Sequence, residues 1–295
     1  MSRPANAVGK GAFIYGTAWK KERTTSLVLN AVAAGFRGFD VAAQPKHYRE
    51  DLMGLALRTA IRDHGVSRAD LFIQTKFTPP SGQDLTNMPY DASETIENQA
   101  WASLQSSLHN LSPGVASDGS DSYIDSLLLH SPLRTLDETM LAWKKLERFV
   151  PSKISALGIS NVTLPMLEAL YSQATVKPAV VQNRFHAATA YDVALRRFCQ
   201  QKEIRYQSFW TLTANPDLLR SRPVQMLAAQ LGIEPAVALY GLVVGLGNIT
   251  ILNGTTSTVR MRKDLKGVKA IEKWAAAEPS KWEELMSAFK KIIGE

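Results

Sequence analysis

Short apolar runs alternate along this chain with longer stretches in which leucine, valine and alanine recur every three or four positions. The short runs predict strands buried on both faces, and the longer stretches predict amphipathic helices packed against them. Phe13, Ile14, Tyr15 and Gly16 predict a first strand, and Thr24, Thr25 or Ser26 caps a helix that carries Leu27, Val28, Ala31 and Val32 as far as Gly35. The unit repeats as a strand over 36–40 with a helix over 48–59, then a strand over 70–76 with a helix over 96–108. A strand ending at His130 precedes a helix over 136–150, whose start at Thr135-Leu136-Asp137-Glu138 is a capping-box pattern. Strands over 154–159, 179–183, 203–209 and 249–252 complete the series, with helices at 164–170 and 190–201 and two more over 224–242. Eight strands alternating with helices and no low-complexity linker predict an α/β fold, a single (β/α)8 TIM barrel in which residues 1–295 form one domain. Two polar stretches, 78–95 and 112–120, break the rhythm as long loops of the kind that border functional sites.

In a closed parallel barrel the carboxyl ends of the strands converge on one rim, where barrel chemistry is done. Asp40 closes the second predicted strand, Lys76 the third and His130 the fourth, while Tyr48 follows the second within reach of the same mouth. Taken singly, His130 reads first as a core histidine, and Asp40 with Lys76 reads equally as a plain buried ion pair. Together the four side chains form a proton-donating set, because an ammonium beside a phenol favours the phenolate and eases the proton away.

Composition narrows the classes. Hydrophobic residues at 45% and charged residues at 21% belong to a globular protein with a large core. A formal charge of +7 raises nucleic acid as a partner, but the basic residues are spread along the chain with acids between them. A small anionic ligand such as a dinucleotide suffices, and neither nucleic acid nor membrane is expected. Cys199 is the only cysteine, so no intrachain disulfide forms, and no metal site is expected. The first residues hold Arg3 and Lys10 without an apolar signal run, which points to a cytoplasmic protein, and the apolar run 237–246 is too short for a membrane span and reads as a buried helix. Gly9-Lys10-Gly11 and Gly245-Leu246-Gly247 lack the strand-to-helix setting of a dinucleotide fingerprint.

From Gly16-Thr17 to about Asp264 the chain resembles the aldo-keto reductases. Asp40, Tyr48, Lys76 and His130 match the family's Asp, Tyr, Lys and His, and Gly158-Ile159-Ser160-Asn161 matches its Gly-Ile-Ser-Asn segment. The runs Gln44-Pro45-Lys46-His47-Tyr48-Arg49-Glu50 and Gln207-Ser208-Phe209-Trp210-Thr211-Leu212 resemble a fungal branch. The resemblance implies reversible hydride transfer between NADPH, or NADH, and a small-molecule aldehyde or ketone. Tyr48 is then the acid, Lys76 lowers its pKa, Asp40 holds Lys76, and His130 orients the carbonyl oxygen.

On the same resemblance, Ser160, Asn161 and Gln182 hold the nicotinamide carboxamide, Phe209 stacks on the ring, and Gly16 and Thr17 lie beside it. Gly254, Thr255 and Thr256 run into a helix whose amides receive the adenosine phosphates. Arg260 grips a 2′-phosphate, while Asn253 stands where the family usually has a lysine. Trp19, Phe77, Phe185, His186 and Trp210 are candidates for the substrate side, each with a core-packing alternative. His47 rivals Tyr48, because the 41–47 loop is longer than usual for the family. The sequence ends soon after its last helix, which implies an open pocket. A nucleotide-sensing regulatory subunit with little turnover is the alternative on the same fold.

Overall fold

The computed structural model of the chain describes residues 11–114 and 122–295; Arg3, Gly9, Lys10 and 115–120 of the second polar stretch lie outside the described residues. Eight parallel strands close into a barrel in sequence order. They are β1 (Phe13–Gly16), β2 (Gly38–Asp40), β3 (Phe72–Phe77), β4 (Ile124–Leu129), β5 (Ile154–Ser160), β6 (Val180–Arg184), β7 (Arg205–Phe209) and β8 (Ile249–Asn253), and β8 pairs back onto β1. Around them lie α1 (Thr24–Ala34), α2 (Glu50–Asp63), α3 (Ile96–Asn110), α4 (Leu136–Glu147), α5 (Leu164–Gln173) and α6 (Val193–Gln201). Two helices, α7 (Pro216–Arg220) and α8 (Arg222–Leu231), precede α9 (Pro235–Gly245), and after β8 come α10 (Thr258–Ala277) and α11 (Pro279–Ile292).

The predicted barrel is therefore the observed one, with local shifts. The helix predicted from 48 starts at Glu50, so Tyr48 remains in the loop ahead of it. The helix predicted from 190 starts at Val193, after a 3-10 segment over Ala187–Asp192. Thr135 caps α4 by accepting the Glu138 N–H at 3.1 Å. Gly35 ends α1 at φ 112, a left-handed conformation that costs glycine nothing. The apolar run at 237–246 is the buried helix α9, and among the described residues no single helix is long and apolar enough to cross a membrane.

Strand periodicity sorts the side chains. Leu127, Leu129, Leu157, Ile159 and Val181 face outward into the shell between sheet and helices, where the main hydrophobic core sits. Their neighbours face inward, and near the carboxyl rim many of those inward residues are polar: Asp40, Gln74, Lys76, Ser160, Gln182 and Gln207 are all buried.

Candidate active site

A cleft of about 750 Å³ lies at the amino-terminal ends of the strands, beside Phe13, Arg37 and Asp125. A second, of about 810 Å³, opens over the carboxyl ends and is lined by Asp40, Tyr48, His130, Ser160, Asn161 and Gln182 among others. The second holds the strand-end chemistry.

Lys76 Nζ donates to Asp40 Oδ2 at 2.6 Å and to the Val41 carbonyl at 2.9 Å, with both charged side chains buried. Burial pushes the Lys76 ammonium down, against the pull of Asp40. Nζ lies 5.1 Å from the centroid of the Tyr48 ring, and the His130 ring meets Tyr48 edge-on at 5.9 Å. Glu50, at the start of α2, accepts hydrogen bonds from Thr75 Oγ1 at 2.5 Å and Ser107 Oγ at 2.8 Å, which fixes the helix directly after Tyr48 against β3 and α3.

The anticipated lowering of the Tyr48 pKa by Lys76 is corrected here. Burial first, and the Asp40 charge second, push the phenol up. Lys76 spends its charge on Asp40, so Tyr48 faces a pair rather than a bare cation. A raised phenol keeps its proton near pH 7, in the form a general acid needs.

His130 is pushed down to about 3 by burial, with the Lys76 charge adding to the effect and His47 a smaller contributor, so its ring is neutral near pH 7. Its Nδ1 lies 2.7 Å from Thr78 Oγ1, which leaves Nε2 for a ligand. With the threonine hydroxyl donating to Nδ1, Nε2 carries the hydrogen and can donate to a carbonyl oxygen.

Directly below the mouth lies a layer of amides. Gln74 Nε2 donates to Asp40 Oδ1 at 2.7 Å and to Gln207 Oε1 at 2.7 Å; Gln182 Nε2 donates to the same two oxygens at 3.0 and 2.9 Å. Gln207 Nε2 donates back to Gln74 Oε1 at 3.0 Å. A carboxylate accepts only, so Asp40 fixes which end of each amide faces it. Gln182 then has its side-chain oxygen left for a ligand.

Of the residues predicted to hold a dinucleotide, Gly16, Ser160, Asn161, Gln182, Phe209, Gly254, Thr255 and Arg260 line the cleft together. Asn161 stands at φ 53 with its Nδ2 on the His130 carbonyl at 2.9 Å. Thr17 is buried beneath the rim, with Oγ1 on the Asp40 carbonyl at 2.8 Å. Asn253 is buried beside the cleft, where it donates to Asp264 Oδ2 at 2.7 Å and accepts from the Thr255 N–H at 3.0 Å. Thr256 lies outside the cleft lining.

Trp19 and Trp210 stand on the rim, 60% and 52% exposed, both with left-handed backbones at φ 63 and 55. Phe77 and Phe185 are corrected: both point outward into the core, Phe77 against Tyr90 and Phe185 against Tyr191. They have the opposite strand parity to Lys76 and Gln182, which point inward. His186 is also off the cleft lining, at the start of the 3-10 segment that follows β6. His47 lies on the rim with its ring 3.6 Å from that of Trp19 and Nδ1 donating to the Lys46 carbonyl at 2.9 Å.

Sequence reasoning missed Thr78, Gln74, Gln207, Lys20 and Arg184. Lys20 follows Trp19 and its ammonium reaches the Gly254 carbonyl across the cleft. Inward parity pointed to Gln74, Gln207 and Arg184; nothing local marked Thr78. The cleft suits a dinucleotide: it offers the Phe209 face, carboxamide partners on β5 and β6, and Arg260 in the first turn of α10, with no carboxylate paired to it among the described residues. Among the described residues no group of three or more His, Cys, Asp or Glu side chains is placed to hold a metal ion.

Fold and rim together define a (β/α)8 barrel built for chemistry at its carboxyl face. The Aldo/keto reductase family model matches residues 7–276, and the chain belongs to that family. It is an NAD(P)H-dependent oxidoreductase. An uncharacterized oxidoreductase of Schizosaccharomyces pombe is 28% identical over 250 residues, covering 84% of this chain and 77% of its own length. The NAD/NADP-dependent indole-3-acetaldehyde reductase of the same yeast is 30% identical, covering 71% of this chain and 65% of its own length. Among solved structures, an aldose reductase from Giardia lamblia superposes with a TM-score of 0.72 at 18% identity, covering 96% of this chain and 92% of that one.

Proposed function

We propose that the rim cleft reduces an aldehyde or ketone to an alcohol, with Tyr48 donating the proton and NADPH as the preferred cofactor. The bound dinucleotide supplies the hydride. The observation that carries this reading is the cluster at the barrel mouth in which the half-buried Tyr48 packs on Lys76 and His130, with the buried Lys76 held by Asp40. His130, neutral and braced by Thr78, orients the carbonyl oxygen through Nε2. His47, stacked on Trp19 at the rim, is the less suitable acid. Relatives named for indole-3-acetaldehyde and glyoxal reduction support a small-molecule carbonyl substrate.

For the cofactor, Ser160, Asn161 and Gln182 are positioned for a carboxamide and Arg260 for a 2′-phosphate. A second reading, NADH, is favoured by one observation: Asn253 is occupied with Asp264, whose carboxyl also lines the cleft near Arg260. A small-molecule partner rather than nucleic acid, a single barrel domain and a cytoplasmic setting complete the proposal, the last in keeping with a lone buried Cys199. The test is a panel of aldehydes and ketones with each dinucleotide, followed at the nicotinamide absorbance band. Saturable oxidation of NADPH by at least one carbonyl compound is the expected result. Tight dinucleotide binding without turnover across the panel would return the protein to the regulatory reading.

A further inference from the structure

The inner face of β6 carries Gln182 and then, two residues on at the strand's end, Arg184. Arg184 lines the mouth cleft with Tyr48 and His130, and its register partner on β7 is Phe209. Its guanidinium carbon sits 4.1 Å from the centroid of the Trp210 ring and 5.9 Å from that of Phe209. Its Nε is buried without a hydrogen-bond partner, and no carboxylate pairs with the side chain among the described residues.

The acids of the same cleft are already engaged: Asp40 by Lys76, Glu234 by Lys263, and Asp264 by Asn253. A guanidinium packed over an indole ring is held in place by it, and its terminal N–H groups suit a planar anion. Among the described residues no carboxylate serves as its counter-ion, so an anionic ligand is the partner this position suits.

We propose that Arg184 recognises an anionic group on the carbonyl substrate, so that the preferred substrates are aldehydes or ketones bearing a carboxylate. The proposal rests on the reductase reading of this cleft. The dinucleotide phosphates are the other source of the same chemistry, and position argues against them. Arg184 sits beside Phe209 and Gln182, at the end assigned to the nicotinamide, whereas the phosphates are assigned to the segment after β8. That segment begins two strands away, about 10 Å at the usual strand spacing.

The experiment compares 4-carboxybenzaldehyde with 4-methylbenzaldehyde, which differ in charge far more than in shape, in the wild-type protein and in Arg184→Gln, Arg184→Met and Arg184→Lys. Wild type is expected to favour the carboxylate by about tenfold or more in kcat/KM, the size of one charge-assisted contact. Arg184→Gln and Arg184→Met should remove that preference and leave the methyl compound and the NADPH Kd within about threefold, while Arg184→Lys keeps part of it. Turnover of both aldehydes by wild type without preference for the anion overturns the proposal, and this arm needs no variant to fold. Loss of NADPH affinity in the variants with an unchanged substrate ratio overturns it in favour of the cofactor phosphates. Turnover of neither aldehyde, nor of any other carbonyl compound, is a failure of the reductase reading itself.

Discussion

At the scale of single residues, Thr78 decides what His130 can do. Its hydroxyl is the hydrogen-bond partner of the His130 Nδ1, and its loss leaves the imidazole free to change tautomer or rotate. Thr78→Val should lower kcat by about 3- to 10-fold, the worth of one neutral hydrogen bond, with little change in dinucleotide affinity. Stopped-flow single turnovers and a fluorescence titration check both halves, and an unchanged kcat would show that the ring needs no brace. The depressed pKa of His130 also has a stability consequence. The unfolded chain takes up this proton near pH 6.5 and the folded protein only near 3, so the unfolded state binds more protons between those values. Stability therefore falls on acidification through that window, by at most about 1.4 kcal/mol per pH unit from this residue and less where water screens the ring. His130→Gln should flatten that part of the Tm-against-pH curve; an identical slope in the variant would place the titration elsewhere. Asp40, Lys76 and His130 were legible in sequence because each closes an apolar run. Thr78 was not, because a threonine after a strand signals nothing until the chain folds it against a histidine 52 positions away.

At the scale of elements, alternation along β3, β6 and β7 does the sorting. The sequence showed the strands, but a one-residue uncertainty in parity turns a side chain from the mouth to the core, as happened with Phe77 and Phe185. The same alternation places Gln74 on β3 and Gln182 and Gln207 on β6 and β7 in one layer that ties Asp40 to the far side of the barrel. These amides satisfy one another in a buried site, so removing one strands the rest. Gln207→Leu should cost roughly 1–3 kcal/mol, since it leaves donors on Gln74 and Gln182 short of a partner. Gln74→Leu with Gln207→Leu together should cost less than the sum of the two single changes, because the broken contacts are shared. Denaturant unfolding of the four proteins measures this, and strict additivity would mean that the layer is a set of independent contacts.

At the scale of the whole molecule, the closed barrel brings residues more than 200 positions apart to one rim, as the Tyr15 hydroxyl on the Thr255 carbonyl shows. Alternation of strands and helices made that architecture legible, whereas the cofactor end was legible only by resemblance. The engagement of Asn253 with Asp264 depends on how β8 meets α10. Arg260→Ala should weaken NADPH by about one to two powers of ten while NADH changes little. Equal losses in calorimetric titrations would show that Arg260 does not read the 2′-phosphate. On the proposed function the rim is a working carbonyl-reducing site with Tyr48 as its acid. Its most direct test is the turnover of Tyr48→Phe beside wild type, on the best carbonyl substrate of the panel, with dinucleotide affinity measured on the same samples. The expected result is a loss of about 100- to 10,000-fold in kcat with a nearly unchanged Kd. Full activity in Tyr48→Phe, with the loss appearing instead in His47→Gln, would contradict it.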